Sequence, residues 1–327
     1  MKLAILGCGG SFGLSLARKA LSEGIEVVGI GRSPLRPACF SQEFSHPVRG
    51  FQYHTYHIRH DVDYVLEALE REKPEAIVSF AAQGEGAASF KASDYWRFYD
   101  TNTTACVQLT AGLEGKSWLK RFVQIGTSEM YGSVSVPSRE DDPINPTSAY
   151  AASKVAFDLH LRAVFKTRGF PMNIVRPSNC YAIGQQLHRV IPRAILFGLT
   201  GKTLQLHGGG RAEKSFLFAD DLSDAILKVI EGPVGETYNC GPDEPTSIRE
   251  VVERCAKVCA RPFESMVEVV GDRDGQDSRY WLDSSKLKAL GWAPKTTWDD
   301  GLWRMRSWVE TYKTELSEQV PEFRMRS

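Results

Sequence analysis

No apolar run in this 327-residue chain approaches the ~20 residues that a bilayer-spanning helix needs. The first hydrophobic stretch is broken by glycines and followed by Arg18 and Lys19 where an exported chain would carry a cleavage-like site, so no targeting signal is read and a cytoplasmic location is expected. Net charge is absent too. Lys plus Arg and Asp plus Glu both number 40, without a long block of one sign, which argues against nucleic acid or a membrane surface as the main partner and leaves a small charged ligand. Cysteine is sparse and scattered: the seven, at 8, 39, 106, 180, 240, 255 and 259, form no CxxC pair. They suit reduced core positions better than a disulfide frame or a metal site. No internal repeat or low-complexity tract appears, and the length allows one large α/β unit with an added lobe, or two domains.

What is present begins at the start of the chain. Leu3 to Leu6 is a short apolar run, and Gly7-Cys8-Gly9-Gly10-Ser11-Phe12-Gly13 leads from it into Leu14, Leu16, Ala17, Ala20 and Leu21 at helical spacing. Gly7, Gly10 and Gly13 permit a tight turn, close approach of a pyrophosphate to backbone N–H groups and close helix packing, with Ser11 and Phe12 in the same turn. Such a triplet is weak evidence alone. Here a second strand at 25–30 follows at βαβ distance and completes the context of a dinucleotide site. That strand normally ends in an acid that binds the adenosine ribose, whereas an Arg accommodates a 2′-phosphate. This chain has Gly31-Arg32-Ser33, which favours NADP, with NAD the alternative if Arg32 merely stacks on adenine.

Residues 33–51 hold three prolines and are expected to be an irregular excursion. His54, His57 and His60 lack a companion ligand set and are taken as loop or strand-edge histidines rather than a metal site. Asp61 and Val62 are assigned to the cofactor's edge; Asp63 stands as an N-cap or first-turn acid of a helix through Arg71. A strand at 76–80 ends in Ala81-Ala82-Gln83-Gly84, small residues suited to backbone passing a cofactor, and a long helix at 93–113 carries Asn102. A strand at 119–125 delivers Thr127-Ser128-Glu129 to the carboxyl edge of the sheet, where ligands of open α/β sheets bind. Thr127 can hydrogen-bond a substrate hydroxyl, and Glu129 can serve as base or acid.

Tyr150 and Lys154 then sit at i and i+4 of a helix reaching about Arg168, with Cβ atoms about 6 Å apart. The ammonium favours the phenolate of a tyrosine whose pKa starts near ~10, making Tyr150 a candidate general base. A bare YxxxK also occurs on ordinary helix surfaces. A strand at 173–176, a helix at 222–230 and a strand at 235–239 follow, so the chain is expected to return to its first domain at about 215–240. Cys255 and Cys259 share a face of a helix at 247–259 as packing residues, and an aromatic-rich helix at 298–312 closes the chain by packing, not as a nucleic-acid platform.

Gly7/Gly10/Gly13, Thr127-Ser128-Glu129, Tyr150 with Lys154 and Arg176-Pro177-Ser178-Asn179-Cys180-Tyr181 together resemble the extended short-chain dehydrogenase/reductase family. The likeness is to its nucleotide-sugar epimerases and dehydratases, above all the NDP-sugar 4,6-dehydratases of the dTDP-glucose and GDP-mannose types. It continues through Ile191-Pro192, Gly208 to Gly210, Lys214 to Asp221, Gly271 to Tyr280 and Leu290 to Pro294. The resemblance implies a Rossmann-type doubly wound parallel sheet in a cofactor domain at 1–175, with a smaller C-terminal lobe at 176–214 and 241–327 that binds the sugar nucleotide. It implies Gln83, Asn179, Lys214 and Arg279 as substrate-binding residues, and a homodimer paired through the helices near 93–113 and 147–168. The implied catalytic set is Thr127, Ser128, Glu129, Tyr150 and Lys154: oxidation at C4, loss of water across C5 and C6, hydride return at C6. The chain departs from the pattern in four places. Ser128 stands where the dTDP-glucose type has Asp, Lys214 where Arg is usual, Ala182-Ile183 where Gly-Pro is usual, and Phe80 where His is common. A 4-epimerase, 4-ketoreductase or C4 dehydrogenase is the alternative within the family, and a non-catalytic NADP-binding regulator the alternative outside catalysis.

Overall fold

The computed structural model describes residues 1–84, 91–271 and 277–319; residues 272–276 of the Gly271 to Tyr280 motif and the last eight of the lobe lie outside the described residues. In chain order the first domain holds β1 (Lys2–Leu6), α1 (Ser11–Ser22), β2 (Glu26–Gly31), β3 (Phe51–Thr55), α2 (Val62–Glu72) and β4 (Ala76–Ser79). It continues with α3 (Tyr95–Tyr99), α4 (Cys106–Leu113), β5 (Arg121–Ile125), α5 (Ala149–Arg168), β6 (Met172–Pro177), α6 (Ala219–Glu231) and β7 (Thr237–Cys240). The seven strands make one sheet in the order β7-β6-β5-β4-β1-β2-β3, with every neighbouring pair parallel. This is the doubly wound Rossmann arrangement, and its order reverses at β1, between β2 and β4. The carboxyl ends of the strands open there into a crevice.

Helices cover both faces, so the strands are apolar on both sides. Leu3 and Ile5 point into one cluster with Leu16 of α1 and Leu222 and Ile226 of α6. Ala4 and Leu6 point into the opposite cluster with Leu69 of α2, Leu109 of α4 and Phe157 of α5. The period of two along β1 thus becomes two separate cores.

The long helix expected at 93–113 is interrupted. Between α3 and α4 the backbone widens into a π-helical stretch, Asp100–Ala105, with Asn102 buried inside it. The excursion at 33–51 is more ordered than its prolines suggest, containing a short helix (Ala38–Ser41) and a 3-10 turn (Gln42–Ser45). Aromatic burial decides this: Phe40 and Phe44 are 5% and 3% exposed, and Phe44 packs on Phe51 with ring centroids 4.7 Å apart. Phe51 in turn opens β3, a strand the sequence reading missed. β3 is the sheet edge, bonded to β2 alone, so it carries mixed polar and aromatic residues instead of an apolar run.

The second lobe is built on helices Val190–Thr200, Ile248–Val258 and Trp298–Thr311 around a core that includes Ile191, Ile195, Val252, Met305 and Val309. Trp308 ties it to the excursion, its Nε1 donating to Cys39 O at 2.6 Å. In a short three-stranded sheet, Glu213–Lys214 lies between Thr246–Ser247 and Arg279–Tyr280. All seven cysteines are free thiols, with Cys255 buried in the lobe core. Among the described residues no helix is long and apolar enough to cross a membrane.

Candidate active site

A cleft of about 1660 Å³ runs along the carboxyl edge of the sheet and on beneath the lobe. Its floor is the glycine turn. Gly7 has φ +78°, and a Cβ there would lie 2.8 Å from Ala81 N, so this turn and the Ala81-Ala82 segment approach more closely than any side chain permits. A Cβ at Gly13 would stand 2.7 Å from Cys8 Cα, whereas one at Gly10 would meet only Gly7 O at 3.4 Å. Gly10 is also the N-cap of α1 and offers no side-chain acceptor, and the first turn holds no acid. The N–H groups at Ser11, Phe12 and Gly13 therefore meet no capping side chain, and the cradle fits a dinucleotide pyrophosphate.

At one end the cleft is lined by Arg32, Ser33 and Arg36 beyond β2 and by His57, Ile58 and Arg59 beyond β3. Asp61 and Val62 do not line it. Asp61 is the N-cap of α2, and its Oδ2 accepts from His57 N at 2.7 Å, so it shapes the turn that presents His57. His57, Ile58 and Arg59 lie at the carboxyl end of β3, which could not be located without that strand. Burial first, and then the His60 and Arg32 charges, hold the His57 imidazole below its ordinary range. His54 lies on β3, and among the described residues no group of three or more His, Cys, Asp or Glu side chains could hold a metal ion. Arg59 pairs with Asp100 and lies 5.0 Å from the Trp96 ring, joining this end of the cleft to α3.

Thr127, Ser128, Glu129, Tyr150 and Lys154 all line the middle of the cleft. Thr127 caps the short turn Ser128–Tyr131, its Oγ1 accepting from Glu129 N at 3.3 Å, which leaves its own O–H to donate elsewhere. Ser148 caps α5 by accepting from Ala151 N at 3.1 Å and starts the helix two residues before Tyr150. Asn102 then fastens three segments. Its Oδ1 accepts from Gln83 N at 2.7 Å, while its Nδ2 donates to Gln83 O at 3.1 Å and Ser153 Oγ at 3.0 Å. Ser153 Oγ donates in turn to Tyr150 O at 2.7 Å. The π-helical stretch aims Asn102 at both neighbours, a role that spacing alone could not reveal.

Lys154 is 2% exposed, and burial pushes its ammonium below the ordinary range while Asp158, one turn further on α5, opposes that push. Asp158 is driven upward by burial and held back by Arg176 and Lys154. Arg176 on β6 reaches Asp158 Oδ2 at 3.4 Å and donates to Tyr131 OH at 2.7 Å and Glu140 O at 3.0 Å. Arg176 is 1% exposed and belongs to the sheet, so it supports the site from below.

Toward the lobe, Gln83, Asn179 and Lys214 line the cleft. Arg279 does not; it pairs with Glu213, its register partner on the neighbouring strand. Alternation explains it. Lys214 and Tyr280 point inward together, which sends Glu213 and Arg279 to the other face. Three cations absent from the sequence reading, Arg189, Arg193 and Arg211, line this end with His188. Their signal was available in part, since Arg189 and Arg193 flank the Ile191-Pro192 pair on a helix that a substrate lobe would offer.

The family described as GDP-mannose 4,6 dehydratase matches residues 4–305. A trifunctional UDP-glucose 4,6-dehydratase/3,5-epimerase/reductase of Arabidopsis thaliana is 31% identical over 251 residues, covering 75% of this chain. The chain spans only 37% of that relative's length. A dTDP-glucose 4,6-dehydratase of Xanthomonas campestris is 32% identical over 273 residues, covering 76% of each protein. Among solved structures, DesIV, a dTDP-glucose 4,6-dehydratase of Streptomyces venezuelae with NAD bound, superposes with a TM-score of 0.86 at 29% identity, covering 97% of this chain and 100% of that one.

His188 yields a pH prediction. Burial, reinforced by Arg189, Arg193 and Arg36, pushes its pKa down from 6.5 to about 4. Between those values the unfolded chain binds a proton that the folded chain refuses, so this contribution to stability is complete above pH ~6.5 and lost as pH falls toward ~4. The urea midpoint of the parent should fall across that window, and His188→Gln should flatten the slope; an unchanged slope in the variant would show that His188 titrates normally.

Proposed function

We propose, since the chain belongs to the GDP-mannose 4,6 dehydratase family, that it is an NDP-sugar 4,6-dehydratase converting a nucleotide-diphosphate sugar to the 4-keto-6-deoxy form. The observation that carries the reading is the convergence of Tyr150, Thr127 and a carboxylate, Glu129, on one cleft with the buried Lys154 beside them. Hydride exchange at C4 needs the Tyr/Thr pair; elimination needs a carboxylate as well. Tyr150 takes the C4 hydroxyl proton, Thr127 donates to the C4 oxygen, and Lys154 steadies the phenolate. A bound nicotinamide dinucleotide would accept the C4 hydride and return it at C6. Glu129 removes the C5 proton that the C4 ketone has made acidic and passes it to the C6 hydroxyl, which leaves as water with Ser128 hydrogen-bonded to its oxygen; when hydride returns to C6, a solvent proton restores C5 and offsets the proton first taken by Tyr150. Asn179 and Lys214, with Arg189, Arg193 and Arg211, hold the sugar nucleotide's pyrophosphate.

The cofactor is NADP in this reading. Arg32, Ser33 and Arg36 stand beyond β2, and among the described residues no carboxylate lines that end of the cleft to repel a 2′-phosphate. The seven free thiols suit a cytoplasmic enzyme. A homodimer is supported by exposed apolar side chains on two packed helices: Tyr95 and Tyr99 of α3 are 41% and 40% exposed, and Leu159 of α5 is 50% exposed.

Four measurements test these readings. With a panel of NDP-sugars, mass spectrometry should find loss of one water without net cofactor consumption; an isomer of unchanged mass would replace the dehydratase by an epimerase. Tyr150→Phe should abolish all steps, while Glu129→Gln should cut turnover by about 10²–10⁴-fold, let reduced nicotinamide build up on the enzyme and stop deuterium uptake at C5. Arg32→Ala should remove most of a preference for NADP worth on the order of 1.5–3 kcal/mol, measured by titration with both dinucleotides; a parent that binds NAD and ignores NADP defeats that assignment. Light scattering at micromolar concentration should give the mass of a dimer, and a monomer there would rule out the proposed pairing of α3 and α5.

A further inference from the structure

Asp277 lines the cleft at 7% exposure, yet its carboxylate is already engaged. Oδ1 accepts from Ser133 Oγ at 2.8 Å, and Oδ2 accepts from Thr147 Oγ1 at 2.6 Å and from Tyr280 OH at 2.7 Å. Its main-chain oxygen accepts from Lys214 Nζ at 3.0 Å, and that ammonium lies 3.3 Å from the centroid of the Tyr280 ring. Ser278 N donates to Ser133 Oγ at 3.0 Å, closing the cluster. A carboxylate that accepts three hydroxyls is poorly suited to proton transfer, but it is well suited to holding segments together. Two of those hydroxyls come from the catalytic side. Ser133 follows the Ser128–Tyr131 turn after one glycine, and Thr147 precedes the Ser148 cap of α5 and stands three residues before Tyr150. Tyr280 and Lys214 come from the lobe's three-stranded sheet.

We propose that Asp277 is a positioning residue, a latch through which an anionic ligand held at Lys214 in the lobe draws the Ser133 and Thr147 segments, and with them Glu129 and Tyr150, into the reacting arrangement. An anion bound at the Lys214 ammonium pulls it against its bond to Asp277 O and its seat on Tyr280. Asp277 transmits that pull because its two carboxylate oxygens are bonded across the seam. Binding energy from the unreactive diphosphate is thereby used at the sugar. This rests on the reading of the lobe end as the sugar-nucleotide site proposed above.

Thr147 is the member to change, since Thr147→Val keeps the shape and deletes one cross-seam hydroxyl, and Thr147→Ser restores it. Amide hydrogen exchange is measured first without ligand. Thr147→Val should quicken exchange in Glu213–Lys214 and Arg279–Tyr280, across the seam from the substitution, while Thr147→Ser behaves as the parent; unchanged exchange there overturns the latch. This arm needs no turnover, so a parent that processes no sugar nucleotide yet shows the effect counts against the proposed function and supports the latch. With UDP or dTDP as probe, residues 133–148 should gain protection in the parent and in Thr147→Ser but not in Thr147→Val. On a turned-over substrate, kcat of Thr147→Val should fall about tenfold with KM nearly unchanged, the pattern of an interaction realised on the way to the transition state. Equal protection in all three proteins, or kcat and KM changing together with a lowered Tm, would reduce Asp277 to an ordinary structural residue.

Discussion

An ammonium held almost entirely out of water, on Lys154, is the constraint around which the site is arranged. Removing a charge from solvent costs several kcal/mol unless partners surround it. Here α5 places Asp158 one turn beyond Lys154, and β6 brings Arg176 against Asp158 from beneath. Arg176 must then be satisfied as well. Tyr131 and the Glu140 carbonyl serve it, and Tyr131 OH donates to Asn239 Oδ1 at 3.0 Å on β7. The return of the chain to the sheet after the first part of the lobe thus supplies the last member of a network that begins at the buried Lys154.

The same helix is held at its other end by neutral hydrogen bonds. Ser148 caps it, Asn102 joins it to the Gln83 segment, and Thr103 Oγ1 donates to Ser153 O at 2.9 Å. A π-helical stretch is a less favourable backbone than an α-helix, and it persists here where Asn102 and Thr103 both reach across to α5. Tyr150 is therefore positioned by backbone bonds on its own helix and by side chains of another, while its ring packs edge-on against Phe98 of α3. Below it, the glycine turn keeps Gly7 and Ala81 close enough that the cleft floor is made of backbone.

Charge along the cleft is strongly one-sided although the whole chain is neutral. Arg32, Arg36 and Arg59 line one end and Arg189, Arg193 and Arg211 the other, with Glu129 and Asp277 the carboxylates among the described lining residues. Asp277 is committed to hydroxyls, and Glu129 lines the cleft with Thr127 and Tyr150. Two anionic ligands, each with its phosphates toward one end of the cleft and meeting at a neutral centre, would suit that distribution.

The sequence by itself determined the sheet strands that are buried on both faces, the glycine turn, and the Tyr150 and Lys154 register, because each is a local pattern: an apolar run, a glycine spacing, one helical turn. It also determined that Thr127, Ser128 and Glu129 would reach the cleft, since the end of a parallel strand has one place to go. Tertiary structure alone decided the rest. The edge strand β3 has no apolar run to announce it, so His57, Ile58 and Arg59 at its carboxyl end could not be read as lining the cleft. Lys214 and Arg279 are both cations of the lobe, and only their register on adjacent two-residue strands sends one into the cleft and the other to Glu213. Asp277 falls inside the Gly271 to Tyr280 stretch of the resemblance, but its partners are not legible there, because they include hydroxyls more than a hundred residues away that folding brings to its two oxygens.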